Sequence, residues 1–308
     1  MDKVIVLAGP TASGKTALSI LLAKLCNGEI VSADSMQIYK RMDIGTAKAT
    51  KEEQAQAVHH MIDVAEPNEE YSVSRYVEEA EKCCRDIISR GKIPIICGGT
   101  GLYIDSLLSG RSFAQKEEDN TLRDELSAEY DRIGGEEMLK KLSLVDPERA
   151  EKLHSSDKRR IVRALEIFRL TGKTISQHDA ETKALPPRFK AKTILLNFKD
   201  RQDLYDRINL RVDLMAQQGL FEEVEALLNS GLDESCTAMQ AIGYQEVVQA
   251  LRGEISREEA LEQIKMGSRR YAKRQLTWFR RSEDALWINW DKEPNIDAAL
   301  EDIKNYLT

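Results

Sequence analysis

Gly9-Pro10-Thr11-Ala12-Ser13-Gly14-Lys15-Thr16 lies between the apolar, β-branched run Val4-Ile5-Val6-Leu7-Ala8 and a stretch with helical spacing in Leu18, Leu21, Leu22 and Leu25. The octet fits G-x-x-x-x-G-K-[ST], and a strand before with a helix after is the context that this pattern requires. Its glycines let backbone N–H groups curl around phosphate oxygens, and the helix N-terminus adds a partial positive charge. Lys15 is placed to reach a terminal phosphate, and the Thr16 hydroxyl to hold Mg²⁺. A glycine turn of purely structural use is the competing reading, and the flanking strand and helix weigh against it. The loop points to a phosphorylated ligand, ATP or another, and is silent on the reaction.

Further short strands are expected at Glu29–Ala33, Ile93–Cys97, Ile194–Phe198 and Leu286–Trp290. Helical patterns lie between them, including Val73–Ser89 and Leu204–Leu228, and Asn295–Leu307 reads as a terminal helix. Such alternation predicts a parallel sheet covered on both faces. From about Phe113 to Lys190 the rhythm stops. Only helical segments appear there, Thr121–Tyr130, Glu136–Leu144 and Asp157–Leu170, and Pro186-Pro187 precedes the return of the sheet at Thr193. The expected fold is α/β: a P-loop NTPase-like parallel-sheet core, residues 1–112 and 191–308, with a helical insertion domain, residues 113–190.

The 308 residues carry 52 acidic and 45 basic side chains, a net charge of -7, with 42% hydrophobic residues. This is the composition of a globule large enough to bury a core without staples. It excludes a uniformly basic surface, but a local basic stripe binds phosphates under a negative total. Cys26, Cys83, Cys84, Cys97 and Cys236 are odd in number and form no C-x-x-C pair. That argues against a disulfide framework and a thiolate zinc site. Val4–Ala8 is too short for a signal-peptide core, and no stretch approaches the ~18 apolar residues of a membrane span. A cytoplasmic protein without membrane contact is expected. His59-His60 invites a metal reading, but adjacent imidazoles point to different sides and no third ligand is suitably spaced.

A P-loop ATPase needs a strand ending in an acid to complete its Mg²⁺ site. Here the strand Ile93–Cys97 runs into Gly98-Gly99-Thr100-Gly101-Leu102-Tyr103 instead. Asp34, at the end of the second strand, is the first acid that could face the loop. It can order a metal-bound water, accept a proton from a nucleophile attacking the bound ester, or simply cap a helix. Position alone leaves these open.

The segment Asp34-Ser35-Met36-Gln37-Ile38-Tyr39 is followed by Met42-Asp-Ile-Gly-Thr-Ala-Lys48, His59-His60-Met-Ile-Asp63, Tyr71-Ser72 and Gly98–Tyr103. Asp157-Lys-Arg159-Arg160-Ile-Val-Arg163-Ala-Leu-Glu166, Arg211 and Ala241-Ile-Gly-Tyr244 come later. Together with the glycine loop these resemble the tRNA dimethylallyltransferases, which prenylate an adenine beside the anticodon, and the resemblance spans about residues 3–280. Ala49 and Val58 depart from expected prolines, both in loops. No zinc finger of the kind appended in eukaryotic members follows, so the bacterial form is expected.

The resemblance implies that Gly9 to Thr16 hold the diphosphate of dimethylallyl diphosphate, with Mg²⁺ on Thr16, and that no nucleotide is hydrolysed. The adenine N6 attacks the prenyl C1 and pyrophosphate leaves. Asp34 then suits the group that orients N6 and takes up its proton. Lys15 and Arg211, the latter in Arg207-Ile-x-x-Arg211, meet the charge of the leaving group. Thr100 bonds the bridging oxygen or the incoming base; its alternative is a satisfied turn hydroxyl. Contacts to tRNA are implied for Asp34, Ser35, Met36, Gln37, Thr100, Arg123, Arg159, Arg160, Ile161, Val162, Arg163, Arg270 and Arg274.

A flipped adenine needs a surface that holds the RNA backbone. Arg159 and Arg163 are four apart on one helix side, with Ile161, Leu165 and Phe168 on the buried face. Lys265, Arg269, Arg270, Lys273, Arg274, Arg280 and Arg281 form a second basic run without an acid from 265 to 281. It is interleaved with Tyr271, Trp278 and Phe279, which read as core rather than base platforms. A solvated helix face is the plain alternative for both stretches. A monomer acting on the tRNA anticodon stem-loop is expected. The rivals are a relative that prenylates free AMP, ADP or ATP, a P-loop kinase, and a non-catalytic RNA-binding protein.

Overall fold

The computed structural model describes residues 2–110 and 121–308. Two compact units make up the chain, Met1–Leu108 with Arg188–Thr308, and Ser109–Pro187. The expected start of the insertion at Phe113 lies outside the described residues.

The first unit is built on six parallel strands: β1 (Lys3–Ala8), β2 (Gly28–Ser32), β3 (His59–His60), β4 (Ile93–Gly98), β5 (Lys190–Phe198) and β6 (Leu286–Trp290). Their spatial order is β3-β2-β4-β1-β5-β6, with Leu7 of β1 beside Cys97 on one side and Ile194 on the other. Every β1 residue after Lys3 is buried, as expected of a parallel strand covered on both faces. Helices α1 (Lys15–Cys26), α2 (Lys51–Gln54) and α3 (Val73–Ser89) connect the first four strands, and α4 (Gly101–Leu108) follows β4. Ile5, Leu7, Leu18, Leu22, Ile30, Ile95, Ile194 and Leu196 share one buried cluster. Each such side chain contributes roughly 1.5–3 kcal/mol by leaving water.

The strand order puts the carboxyl ends of β1, β2 and β4 side by side, at the crevice where open α/β sheets bind ligands. Gly98 makes the approach possible: a Cβ there would lie 2.1 Å from the Ala33 carbonyl oxygen. Ala33 N–H donates to Cys97 O (2.8 Å) and Thr100 N–H to Ala33 O (3.1 Å), which stitches the loops after β2 and β4 together.

The second unit contains only helices among its described residues: α5 (Thr121–Ile133), α6 (Gly135–Val145), α7 (Pro147–Ala150), α8 (Lys158–Thr171) and α9 (Ile175–Lys183). Leu126, Met138, Leu142, Ile161, Val162 and Leu165 form its core. The sequence pattern did not mark α9; a capping box between Thr174 and Gln177 starts it.

The chain rejoins the first unit before β5, earlier than the sequence pattern placed it. Arg188 N–H donates to Leu108 O, its guanidinium bonds Ser106 O and Glu81, and Phe189 is buried. The helices that follow are α10 (Arg201–Gln217), α11 (Leu220–Asn229), α12 (Tyr244–Leu251), α13 (Arg257–Phe279) and α14 (Ile296–Leu307). The single helix expected over Leu204–Leu228 is two, because Gly219 takes φ 104° and ends the run. His59 and His60 form the edge strand, bonded to Ala57 O and to Glu29.

Candidate functional site

The glycine loop opens onto the first turn of α1, which has no side-chain cap bond and no acidic residue. Its N–H groups are therefore left for an anion. The loop carbonyls are held elsewhere: Gly9 O and Pro10 O accept from Lys15 Nζ (3.1 and 2.7 Å), Ala12 O from Arg207 Nε (3.2 Å) and Ser13 O from Trp290 Nε1 (3.0 Å). The Ser13 hydroxyl lines the cavity, buried without a partner among the described residues. A phosphate oxygen is the acceptor such a hydroxyl lacks.

Three cations converge here. Burial lowers the Lys15 ammonium to about 8, against a pull upward from Cys97 and Asp34, and the Arg211 guanidinium pushes the same way as burial. Arg211 is itself held down by burial and by Arg207, and its Nη1 lies 3.5 Å from the Thr11 hydroxyl. Among the described residues no carboxylate forms an ion pair with Lys15, Arg207 or Arg211. Their uncompensated charge is the electrostatic complement of a diphosphate.

Asp34 follows β2 in the same cavity. Its Oδ1 accepts the N–H groups of Met36 (2.9 Å) and Gln37 (3.4 Å), while no donor among the described residues reaches Oδ2. Oδ1 thus braces a turn, since no helix directly follows Asp34 for it to cap, and Oδ2 is left toward the cavity. Thr100 accepts the Ser35 N–H at 3.2 Å and bonds Tyr271, so its hydroxyl braces the Asp34 turn. The Gln37 amide donates to Thr46 O and Ala47 O, both at 3.2 Å.

The loop, Asp34 and Arg211 enclose a cavity of about 340 Å³, with Ile208, Val212 and Met215 as an apolar wall and Tyr271, Arg274 and Gln275 contributed by α13. A second cavity of about 710 Å³ shares Lys15, Thr16, Ala47 and Arg211 with the first and continues to Lys51, Leu210 and Leu214. Burial, with Asp34 nearby, pushes the Tyr271 phenol up to about 12.

Gln275 was not foreseen. It is buried on α13, accepts the Thr11 N–H and donates to Gly99 O, both at 2.9 Å, and so ties the glycine loop to the turn after β4. Its only trace in the sequence is a polar residue on the same helix face as Ala272 and Phe279.

The IPP transferase family model matches residues 37–282, and the isopentenyl transferase model residues 2–64. This chain belongs to the IPP transferase family. Among relatives of this family, the tRNA dimethylallyltransferase of Acetivibrio thermocellus is 49% identical over 307 residues, 100% of this chain and 98% of that protein. The tRNA dimethylallyltransferase of Bacillus cereus strain AH187 is 50% identical over 94% of this chain and 90% of its own. A eukaryotic dimethylallyltransferase crystallised while acting on tRNA superposes with a TM-score of 0.85, at 30% identity, covering 100% of this chain and 79% of that one. The full-length tRNA isopentenylpyrophosphate transferase of Bacillus halodurans gives 0.74 at 39% identity, covering 100% of this chain and 96% of its own.

Within this IPP transferase the basic residues divide into engaged and free. In the first unit Lys265 is bridged to Asp213 and Glu262, and Arg269 to Asn209. Arg270, Lys273, Arg274, Arg280 and Arg281 are exposed and form no ion pair among the described residues. Phe279 is buried, and Trp278 donates its indole N–H to Asp105. In the second unit Arg159 and Arg160 are exposed and likewise unpaired, whereas Arg123 and Arg163 both bind the buried carboxylate of Glu166. Ile161 and Val162 are core residues with 0% and 4% exposure. Their side chains are therefore removed from the set of tRNA contacts.

Among the described residues, no group of three or more His, Cys, Asp or Glu side chains could hold a metal, and no helix is long and apolar enough to cross a membrane.

Proposed function

We propose that this chain transfers the dimethylallyl group of dimethylallyl diphosphate to N6 of the adenosine immediately 3′ of the anticodon in tRNA, releasing pyrophosphate. The observation that carries this reading is the cavity itself. Lys15 and Arg211, without an ion-pair partner among the described residues, line it beside an uncapped helix N-terminus, together with Asp34, whose Oδ2 meets no donor among the described residues. The family membership supplies the substrates.

The diphosphate lies on the first-turn amides of α1 and on Lys15, with Arg211 above it, and Ile208, Val212 and Met215 give the hydrocarbon a dry neighbour. Two cavities that meet at Lys15 and Arg211 let donor and acceptor reach the same point separately. Asp34 Oδ2 accepts a hydrogen bond from N6–H. As the N6–C1 bond forms and the C1–O bond breaks, the proton passes to that oxygen and the electron pair to the leaving pyrophosphate. Lys15 and Arg211 meet the charge that grows on the departing oxygen. Arg270 and Arg274 in the first unit and Arg159 and Arg160 in the second are free to bind tRNA phosphates, which orients the stem-loop without reading its sequence.

The donor set fits Mg²⁺: the single hydroxyl of Thr16 lines both cavities beside the loop, and one protein ligand with a diphosphate suits a cation that keeps most of its water. When bound, the ion would neutralise part of the diphosphate charge.

The test is nucleoside mass spectrometry after incubation with unmodified tRNA, dimethylallyl diphosphate and Mg²⁺, with AMP as a parallel acceptor. A prenyl mass on tRNA adenosine and none on AMP is expected. Product on AMP alone, or ATP turnover without prenyl transfer, overturns the assignment.

A further inference from the structure

Glu223, in the first turn of α11, accepts four hydrogen bonds. Oε2 takes the N–H groups of Asp43 and Ile44, both at 2.8 Å, and Oε1 takes the Gly45 N–H at 3.0 Å and the Tyr244 hydroxyl at 2.7 Å. Four donors fill a carboxylate's capacity. The contact is also steric: a Cβ on Gly45 would lie 2.5 Å from the Tyr244 ring. Tyr244 is fully buried, and burial together with Glu223 holds its phenol far above the ordinary value, so it stays a donor.

Neither Glu223 nor Tyr244 lines either of the two cavities, but the segment they grip does. Gly45, Thr46 and Ala47 wall the smaller cavity with Lys15 and Asp34, and Asp43, Ile44 and Ala47 wall the larger. Thr46 O and Ala47 O hold the Gln37 amide, and the Gln37 and Met36 N–H groups hold Asp34 Oδ1. Contacts thus run without a break from Tyr244 and Glu223, through residues 43–47, to the turn that carries Asp34. Other bonds of the segment, Thr46 Oγ1 to Met42 O and Lys48 to Asp43, set its shape but not its place against α11 and α12.

We propose that Glu223, with Tyr244, is a positioning residue for the transfer reaction. It fixes the 43–47 segment and, through Gln37, keeps Asp34 in line with the attacking amine. This rests on the prenyl-transfer reading.

Glu223→Gln is nearly isosteric but turns an N–H pair toward backbone donors. Hydrogen exchange over residues 40–49 should then speed up at least about tenfold at the 43–45 amides, since exchange reports local opening. The kcat for tRNA prenylation should fall about 10–100-fold, the scale of a small misplacement of reacting groups. The dissociation constant of inorganic pyrophosphate should stay within about twofold of wild type, because Lys15 and the α1 amides are untouched. Tyr244→Phe should shift exchange and kcat in the same direction by less, and carries the same test if Glu223→Gln does not fold. Unchanged exchange, an unchanged kcat, or pyrophosphate binding lost in proportion to kcat would each overturn the inference. Failure of the wild-type protein to prenylate tRNA would instead overturn the proposed function, while the exchange comparison would still decide whether Glu223 holds the segment.

Discussion

Asp34 Oδ1 is braced by the Met36 and Gln37 amides, while Oδ2 meets no donor among the described residues. Removing this side chain leaves the loop, the cations and the basic surfaces in place. Asp34→Ala should therefore lower kcat by about 10²–10⁴-fold with tRNA affinity within about twofold, measured by single-turnover prenylation and by filter binding. An unaltered rate would take Asp34 out of the mechanism. Lys15 adds a pH signature. Its ammonium is lowered to about 8 by burial, and bound diphosphate favours the charged form. Donor binding thus takes up a proton wherever free Lys15 is neutral. Affinity should be full below about pH 8 and fall about tenfold per pH unit above it, seen as a descending limb in kcat/KM for the donor. In a Lys15→Arg variant, whose guanidinium keeps its charge, that limb should vanish. The octet is legible because eight contiguous residues carry the whole recognition geometry. Gln275 is not, because a single buried glutamine on an amphipathic helix has no spacing of its own.

At the scale of the element, β2 carries a buried carboxylate at the far end from the site. Glu29 is 2% exposed and binds Arg90 at 2.5 and 2.7 Å, Lys92 at 2.7 Å and His60 at 2.7 Å. The Arg90 hydrogen bonds hold its carboxyl well below the usual range, against the opposing effect of burial. Because the folded pKa is depressed, the stability Glu29 contributes is complete above the ordinary carboxylate pKa, near 4.5, and is lost as the pH falls below it. Glu29→Gln should cost about 2–3 kcal/mol at pH 7, and the gap from wild type should narrow in urea titrations run toward pH 3. A gap that stays constant would remove Glu29 from acid sensitivity. The β2 strand itself was legible from its apolar run, whereas the division of residues 204–228 at Gly219 was not. Both sides of that break keep helical periodicity, and only the left-handed backbone at the glycine turns the chain.

For the whole molecule, the question is which cations meet RNA. In the second unit Arg159 and Arg160 are exposed and form no ion pair among the described residues, so replacing both with alanine should reduce the slope of log Kd for tRNA against log salt by about 1–2. The kcat at saturating tRNA should stay within about twofold. Fluorescence anisotropy at several salt concentrations would show it, and an unchanged slope would place the RNA elsewhere. Arg163 and Arg123 should contribute less, since both are held by Glu166, which offsets part of their charge.

The residues themselves determined the parallel sheet, the phosphate loop, the helical stretch between Pro186 and the fourth strand, and, by resemblance, the family. All of these are written in contiguous runs or in spacings that repeat with the period of a strand or helix. Tertiary structure alone decided that Glu223 grips residues 43–45 from 178 to 180 positions away, and that Gln275 reaches Thr11 across 264. It also decided that Ile161 and Val162 face a core while Arg159 and Arg160 beside them face water. Long-range hydrogen bonds depend on which faces pack together, and a local pattern records only that a face is apolar, not what will lie against it.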